Sequence, residues 1–203
     1  MTSSPGNNES EMDDLVVRAK SDREAFGALY DRFFPLVHRY CHRRLFDGVA
    51  ADDVSSEVFL QVTRAMRRFP GTTELDFRRW VYRIATNAIN AHLRQTMRRG
   101  ELFERALRLG RLHKVETSSE PRDAAGTECQ AVAQALAHLS PREQSVLTLR
   151  FVEGLSYEEV GQILGVRTAT LRVAASRALK NLRRRLSSCL GSPVSQQEER
   201  PAS

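Results

Sequence analysis

Residues 140–186, SPREQSVLTLRFVEGLSYEEVGQILGVRTATLRVAASRALKNLRRRL, contain the clearest helix-start and helix-end signals in the sequence. The first four residues of this stretch place a serine at the N-cap, a proline at the first helical position and Glu143 at the third, which is a capping box with the usual proline asymmetry. Ser156 and Glu159 repeat the same capping pattern sixteen residues later. The stretch therefore predicts two helices that begin at defined residues, followed by a third.

Glycines predict where these helices end. Gly154 is placed to terminate the first helix in a left-handed conformation, and Gly165 to terminate a second helix over residues 157–164. The small Gly161 lies where two helices must approach closely, and Leu171 follows the turn to fill their contact. This spacing predicts a helix-turn-helix, whose second helix enters the DNA major groove. A plain helical hairpin within a bundle is the alternative.

The third helix, from about Thr168 to Leu186, is the candidate DNA-reading element. Arginine pairs with guanine, threonine hydrogen-bonds a base or contacts a thymine methyl, and further basic groups hold phosphates. The outward residues predicted to contact DNA are Arg167, Thr168, Thr170, Arg172, Ser176 and Arg177.

The N-terminal half is also predicted to be helical. Val54, Val58 and Val62 recur at helical spacing, and Phe77 and Ile84 mark a second amphipathic helix. Pro-Gly-Thr-Thr at residues 70–73 predicts the turn between them. Alternation typical of β-strands is missing, so the expected fold class is all-α, with two small helical domains joined by a flexible linker.

Composition breaks give the domain limits. Polar residues without an apolar period occupy the two ends, and a stretch rich in Ser, Thr, Pro and acidic groups separates the blocks. The predicted layout is a disordered tail over 1–12, a helical domain over 13–100, a basic linker over 101–127, a helix-turn-helix domain over 128–187 and a tail over 188–203.

Charge and cysteine content restrict the function. The 203 residues carry 31 Lys and Arg against 25 Asp and Glu, a net charge of +6, which favours a polyanionic partner. Three separated cysteines without a CxxC pair, no signal peptide and no membrane-spanning apolar run predict a cytoplasmic protein. No catalytic triad or phosphate-binding loop is present, and His38, Cys41 and His42 supply too few metal ligands. We expect no enzyme activity, cofactor or metal.

Four segments resemble extracytoplasmic-function (ECF) sigma factors, in that family's order. LAHLSPREQSVLTLRFVEGLSYEEVGQILGV, residues 136–166, resembles region 4. FGALYDRFFPLVHRYCHRRL, residues 26–45, DDVSSEVFLQVTRAMRRFPG, residues 52–71, and FRRWVYRIATNAINAHLRQTMRR, residues 77–99, are similar to the helices of region 2.

The resemblance implies roles for two sets of residues. One helix face would dock on the clamp coiled coil of the largest RNA polymerase subunit, namely Asp53, Glu57, Gln61 and Arg64. The turn over residues 69–76 and the next helix would capture a flipped base of the −10 promoter element, with DNA contacts from Arg78, Arg79, Arg83, Asn87 and Arg94. Trp80 is predicted to be a core residue.

The resemblance also implies partners: core RNA polymerase, including the flap of its second-largest subunit, promoter DNA, and an anti-sigma factor. Region 4 would bind the −35 element. The recognition helix departs from the family's usual GTVKSRLHRAR, since Val173 and Ala174 replace a Ser-Arg pair and Ala169 a glycine. Weak −35 binding with a role towards polymerase or a regulator is therefore an open alternative.

Two other functions compete with the sigma factor. A stand-alone helix-turn-helix transcriptional regulator would bind operators as a dimer, but it needs no strand-opening helix such as residues 77–99 resemble. A signalling decoy would bind an anti-sigma protein in place of DNA, and the altered recognition helix keeps this alternative open.

Overall fold

The computed structural model describes residues 5–108, 135–136 and 138–190. All regular structure in these ranges is helical, which confirms the predicted all-α class. The helices are α1 (Pro5–Arg18), α2 (Arg23–Leu45), α3 (Gly48–Ala65), a short 3-10 turn (Met66–Arg68), α4 (Glu74–Arg108), α5 (Pro141–Leu147) with a π-helical extension (Thr148–Val152), α6 (Tyr157–Leu164) and α7 (Thr168–Leu190).

Side-chain caps set the starts of the N-terminal helices. Asp22 accepts a hydrogen bond from the Glu24 backbone N–H at 2.9 Å at the start of α2. Asp47 does the same for the Ala50 N–H at 3.1 Å at the start of α3. Between these helices Phe46 adopts a left-handed conformation with φ of 55°, which ends α2 and reverses the chain.

The N-terminal core lies between α1, α2, α3 and α4. The residues with no exposed surface there include Leu29, Val37, Val58, Phe77 and Ile89. Burial of this apolar surface holds the four helices together, each side chain contributing about 1.5–3 kcal/mol.

Helix α1 begins inside the segment that the sequence predicted to be a disordered tail over residues 1–12. Residues 5–12 are helical, and Met12 and Val16 are buried against the core. The carboxylate of Asp13 accepts the backbone N–H of Glu74 at 2.7 Å, which ties α1 to the start of α4. The apolar spacing of Met12 and Val16, one helical turn apart, explains why the polar segment continues as helix.

Helix α4 also crosses a predicted boundary. It runs for 35 residues to Arg108 without interruption at residue 100, so the start of the predicted basic linker is helical. The rest of that linker, from residue 109, lies outside the described residues.

The C-terminal helices begin where the sequence predicted, but α7 ends at Leu190 rather than near Leu186 and so extends past the predicted start of the tail at residue 188. Capping boxes are formed by Ser140 with Glu143 and by Ser156 with Glu159. Gly165 ends α6 with φ of 66°. A Cβ at Gly161 would lie 2.8 Å from the Val166 carbonyl oxygen, so only glycine permits the close approach of this turn.

The two helical units pack against each other. Val146, Leu149 and Leu155 of the C-terminal unit belong to the same buried cluster as the N-terminal core. None of the described helices combines the length and apolar character needed to span a bilayer. Functional residues are therefore expected on the outward surfaces and where the two units meet.

Candidate polymerase- and nucleic-acid-binding surfaces

One face of α3 is free for a partner. Asp53, Glu57, Gln61 and Arg64 are exposed at helical spacing, whereas Val58 and its neighbours on the opposite face are buried. Gln61 donates a hydrogen bond to Glu57 at 3.0 Å, which orders the middle of the face.

Leu60 adds an apolar contact to this face that the sequence analysis did not identify. It is 51% exposed, and helical geometry places it beside Glu57 and Arg64, three and four residues away. In the sequence, Leu60 lies outside the repeat of Val54, Val58 and Val62 that marks the buried face, and this position was the available signal. Leu60 thus gives the otherwise polar face one apolar side chain.

A cavity of about 370 Å³ opens beside the turn that precedes α4. The indole of Trp80 stacks on Phe69 with ring centroids 4.6 Å apart, so Trp80 is half-buried and lines the cavity as well as packing on the core. The cavity residues are Phe69, Pro70, Gly71, Asp76, Arg79, Trp80, Arg83 and Gln162.

The shape of the turn depends on Gly71. A Cβ there would lie 2.4 Å from Phe69 Cζ and 2.6 Å from Asp76 Cβ, distances that no side chain tolerates. Asp76 is further held by a hydrogen bond from the Thr72 N–H at 3.4 Å and lies 4.0 Å from the Arg79 guanidinium. Aromatic faces beside a carboxylate and a guanidinium suit a planar base with hydrogen-bonding edges.

The predicted DNA-binding residues of α4 fall into two groups. Asn87 and Arg94 are exposed. Arg78 is half-buried and forms an ion pair with Glu159 of α6, and Arg83, which is also exposed, donates to the Gln162 carbonyl at 2.5 Å. The cations at the start of α4 thus contact the C-terminal unit of the same chain.

The outward face of α7 carries the other predicted contacts. Arg167, Thr170, Arg172, Ser176 and Arg177 are exposed, and Thr168 is half-buried near Gly161. Leu171, Ala175 and Ala178 on the opposite face are buried, which fixes the orientation of the helix. Val173, which replaces a polar residue of the family pattern, is 51% exposed on the outward side.

Several polar residues join the two units, and sequence reasoning missed all of them. The Glu153 carboxylate, only 2% exposed, accepts hydrogen bonds from Tyr82 at 2.8 Å and Arg43 at 3.1 Å. Arg44 is 2% exposed and donates to the Gln144 amide oxygen and to Ser145 Oγ at 3.1 Å. The position of Arg44 on the buried face of α2 was the available signal.

Burial changes the acid–base properties of these groups. The pKa of Tyr82 is raised, mainly because burial disfavours the phenolate and also because Glu153 is close. Burial of Glu159 would raise its pKa, but hydrogen bonds from Ser156 and the charge of Arg78 outweigh this and lower it. Tyr82 is therefore a neutral donor and Glu159 a carboxylate at neutral pH.

His38 and Cys41, which the sequence analysis rejected as metal ligands, lie in different surroundings. His38 lies 2.7 Å from Asp52 in an exposed pair, and Cys41 is fully buried. Burial raises the pKa of the Cys41 thiol to about 12, so it stays protonated. Within residues 5–108 and 135–190, as far as they are described, no group of three or more potential ligands could hold a metal ion.

Comparison with known proteins gives two family matches. Residues 29–99 match the family model "Sigma-70 region 2", and residues 129–182 match "Sigma-70, region 4". These ranges contain the α3 face, the cavity and the helix-turn-helix.

Full-length relatives agree with the domain matches. The chain is 31% identical to the ECF RNA polymerase sigma factor BldN of Streptomyces coelicolor over 86% of its own length and 66% of BldN. It is 32% identical to the ECF RNA polymerase sigma factor SigD of Mycobacterium tuberculosis over 85% of its length and 82% of SigD. The chain thus spans about two thirds of BldN and four fifths of SigD.

The fold is similar to that of solved structures as well. The sigma factor RpoE of Bartonella quintana, in complex with the anti-sigma factor NepR, superimposes with a TM-score of 0.60 at 19% identity, covering 82% of this chain and 96% of RpoE.

Proposed function

The chain belongs to the ECF group of sigma-70 factors, and from this premise we propose that it directs core RNA polymerase to specific promoters and assists strand opening. The observation that carries the proposal is that one chain combines a cavity suited to a single base on α4 with an exposed basic recognition helix on α7. A protein that recognises duplex DNA alone needs only the second of these.

Polymerase binding is assigned to the exposed face of α3. We propose that Asp53, Glu57, Gln61 and Arg64 dock on the clamp coiled coil of the largest subunit, around the apolar centre provided by Leu60. Charged residues at the rim of such a patch set orientation and association rate, while the buried apolar centre contributes affinity. In the same proposal, the C-terminal unit contacts the flap of the second-largest subunit.

Recognition of the −10 element is assigned to the cavity and the exposed side of α4. A base flipped out of the duplex would stack beside Trp80 and hydrogen-bond to Asp76, which offsets the few kcal/mol that flipping costs. Asn87 is the candidate for a base edge, because its amide offers both a donor and an acceptor. Arg78, Arg79, Arg83 and Arg94 are assigned to the sugar-phosphate backbone.

Recognition of the −35 element is assigned to α7. The exposed Arg167, Thr170, Arg172, Ser176 and Arg177, with Thr168, lie near the start of the recognition helix, where a helix-turn-helix contacts base edges. The apolar Val173 among them favours contact with a thymine methyl over a hydrogen bond at that position.

Regulation by an anti-sigma factor completes the proposal. RpoE, which has a similar fold, is seen in complex with the anti-sigma factor NepR. We propose that an anti-sigma factor also binds this chain and blocks its polymerase- or DNA-binding surfaces. The competing stand-alone regulator explains neither the region 2 match nor the cavity.

A pull-down with purified bacterial core RNA polymerase tests the proposal, followed by run-off transcription from genomic fragments. We expect stoichiometric binding and new start sites that core polymerase alone does not use. A protein that ignored core polymerase but bound duplex DNA as a dimer would instead be a stand-alone regulator.

A further inference from the structure

A lysine between α1 and α2 lies beside the cavity, and the proposed function gives it no role. The ammonium nitrogen of Lys20 lies over the ring of Phe69, 5.6 Å from the ring centroid, and Phe69 lines the cavity. Lys20 precedes residues 29–99, the range that matches region 2. Its place at the cavity therefore comes from the tertiary structure and not from the family match.

The Phe69 ring that Lys20 contacts is a fixed wall of the cavity. It is 6% exposed, stacks on Trp80 with centroids 4.6 Å apart and meets Phe77 edge-on at 5.9 Å. A ring packed in this way cannot turn without disturbing the core. Lys20 therefore lies next to the same aromatic wall that a base in the cavity would contact.

The backbone at Lys20 is held in place as well. Its neighbour Ala19 is 5% exposed and donates its N–H to the Leu15 carbonyl of α1 at 2.9 Å. Helix α1 is tied to the start of α4 by the hydrogen bond from the Glu74 N–H to Asp13 at 2.7 Å. Lys20 thus belongs to a turn that is attached to the helix lining the cavity.

The charge of Lys20 is not neutralised within the described part of the chain. Among those residues its ammonium forms neither an ion pair nor a hydrogen bond to an oxygen. Asp22, two residues away, instead pairs with the Arg18 guanidinium at 3.5 Å and accepts the Glu24 N–H. A contact with an aromatic ring leaves ammonium N–H groups without an oxygen acceptor, so they are available to an anion.

Two other cations at the cavity differ from Lys20 in this respect. Arg79 lies 4.0 Å from Asp76, and Arg83 donates to the Gln162 carbonyl at 2.5 Å. A guanidinium with an oxygen partner in the protein must exchange that partner for a phosphate, whereas Lys20 gives up only its contact with the ring. Of these three cations, Lys20 is therefore the best suited to bind an added anion.

A nucleotide whose base enters the cavity leaves its sugar and flanking phosphates at the rim. Each phosphate is an anion with several oxygen acceptors, and lysine binds such a group as a point charge. We propose that Lys20 binds a phosphate of the non-template strand next to the base that enters the cavity. The inference rests on the proposed function, because it adds a phosphate contact to the base-binding cavity, and it extends the promoter-binding surface to the turn between α1 and α2.

The salt dependence of promoter binding tests this contact. Holoenzyme formed from core polymerase and the full chain is bound to a fluorescent promoter fragment with a single-stranded −10 element, taken from a start site mapped by run-off transcription. Each phosphate contacted on a single strand contributes about −0.7 to the slope of log K against log salt. Lys20→Met should make the slope shallower by about 0.7, which gives a roughly fivefold loss of affinity at about 0.1 M salt that vanishes near 1 M.

Matched variants separate a phosphate contact from packing. Lys20→Met keeps an unbranched apolar side chain on Phe69 and removes the charge. Lys20→Arg keeps both the charge and the ring contact, so the wild-type slope should be retained. Arg23→Met removes the same charge at an exposed residue of α2 and should also keep the wild-type slope. If Arg23→Met changes the slope as much as Lys20→Met, or if Lys20→Met does not change it, Lys20 makes no phosphate contact.

A coupling experiment locates the phosphate. Neutral methylphosphonates replace single phosphates of the non-template strand along the −10 element. At a phosphate beside the captured base, this replacement should weaken wild-type binding about fivefold and should weaken binding by Lys20→Met no further. If the wild type and Lys20→Met respond equally to the replacement at every position, the inference is wrong.

Binding to core polymerase separates the remaining outcomes. Lys20→Met should bind core polymerase as the wild type does in a pull-down, and a loss of core binding would place Lys20 against polymerase and overturn the inference. If the wild type binds core and starts transcription while Lys20→Met keeps the wild-type slope, only this inference fails. If the wild type neither binds core nor starts transcription, the proposed function fails and the inference falls with it.

Discussion

The hydroxyl of Tyr82 donates a 2.8 Å hydrogen bond to the carboxylate of Glu153, 71 residues further along the chain. It connects the helix assigned to promoter opening with the turn that precedes the helix-turn-helix. Burial, together with the nearby carboxylate, raises the pKa of Tyr82, so the hydroxyl keeps its proton at every physiological pH. Domain docking and promoter recognition therefore involve adjacent residues of α4, and they can be separated by substitution.

Asn87→Ala should impair promoter opening with little effect on polymerase binding. The exposed amide is assigned to a base edge, and loss of one such hydrogen bond corresponds to about 1–2 kcal/mol, or roughly tenfold in open-complex formation. Run-off transcription measures the first effect and a core pull-down the second. An equal loss in both assays would contradict the assignment of α4.

Asp53→Arg should impair polymerase binding with little effect on promoter opening. A reversed charge at the proposed interface should weaken binding to core polymerase by roughly ten- to a hundredfold, because an arginine would replace a carboxylate that the proposal places against the partner. At saturating protein, the residual holoenzyme should open promoters normally. Asp52→Arg makes the same change at a neighbouring exposed residue that pairs with His38, and it should leave polymerase affinity nearly unchanged.

Gly71→Ala should damage the cavity. The added Cβ would meet Phe69 and Asp76 at 2.4 and 2.6 Å, so the turn must shift at a cost of about 1–3 kcal/mol, and transcription should fall with it. Urea denaturation and run-off transcription measure the two effects. Gly100→Ala, where nothing lies within 4 Å of the new methyl, is the control and should be neutral or stabilising.

Gly161→Ala should destabilise the helix-turn-helix. Its Cβ would lie 2.8 Å from the backbone oxygen of Val166, which cannot move as a side chain can, and the expected cost is about 1–3 kcal/mol. Thermal denaturation followed by circular dichroism measures it. Gly27→Ala in α2 meets nothing within 4 Å and should not destabilise; a similar loss there would show that the close approach at Gly161 is irrelevant.

Acid should weaken the contacts made by Glu159. Its pKa in the folded protein lies below the ordinary 4.5, because hydrogen bonds from Ser156 and the charge of Arg78 outweigh the opposing effect of burial. A lowered pKa means that the stabilisation is complete above pH 4.5 and is lost as the pH falls through the folded-state value.

The measurement is the denaturant midpoint from pH 7 to pH 3 for the wild type and Glu159→Gln. Glutamine keeps the capping-box geometry but cannot ionise, so this variant should lose less stability on acidification than the wild type. Parallel curves for the two proteins would show that Glu159 does not contribute to the pH dependence.

Much of the fold followed from local signals. The capping boxes at Ser140 and Ser156, the left-handed Gly165 and the close approach at Gly161 are where the sequence predicted them. Each depends on contacts within a few residues, so the local sequence contains all the partners. The predicted limits at residues 12 and 100 were exceptions: Met12 and Val16 pack on a distant core, and α4 continues to Arg108.

The residues of the candidate site also differ in whether the local sequence could identify them. Residue types and spacing identified Asn87 and the outward residues of α7, which are exposed as their helical positions require. The sequence could not show that Arg78 and Arg83 contact the C-terminal unit, nor that Leu60 is exposed on the α3 face.

The capped starts of the C-terminal helices, the all-helical class and the family could be read from the sequence, because capping, glycine conformation and apolar periodicity act over short distances. The packing of the two units set which arginines contact Glu153, Glu159 or Gln144. The physical reason is that Arg43 and Glu153 are 110 residues apart, and a side chain's partners at that separation are fixed by how the two units pack.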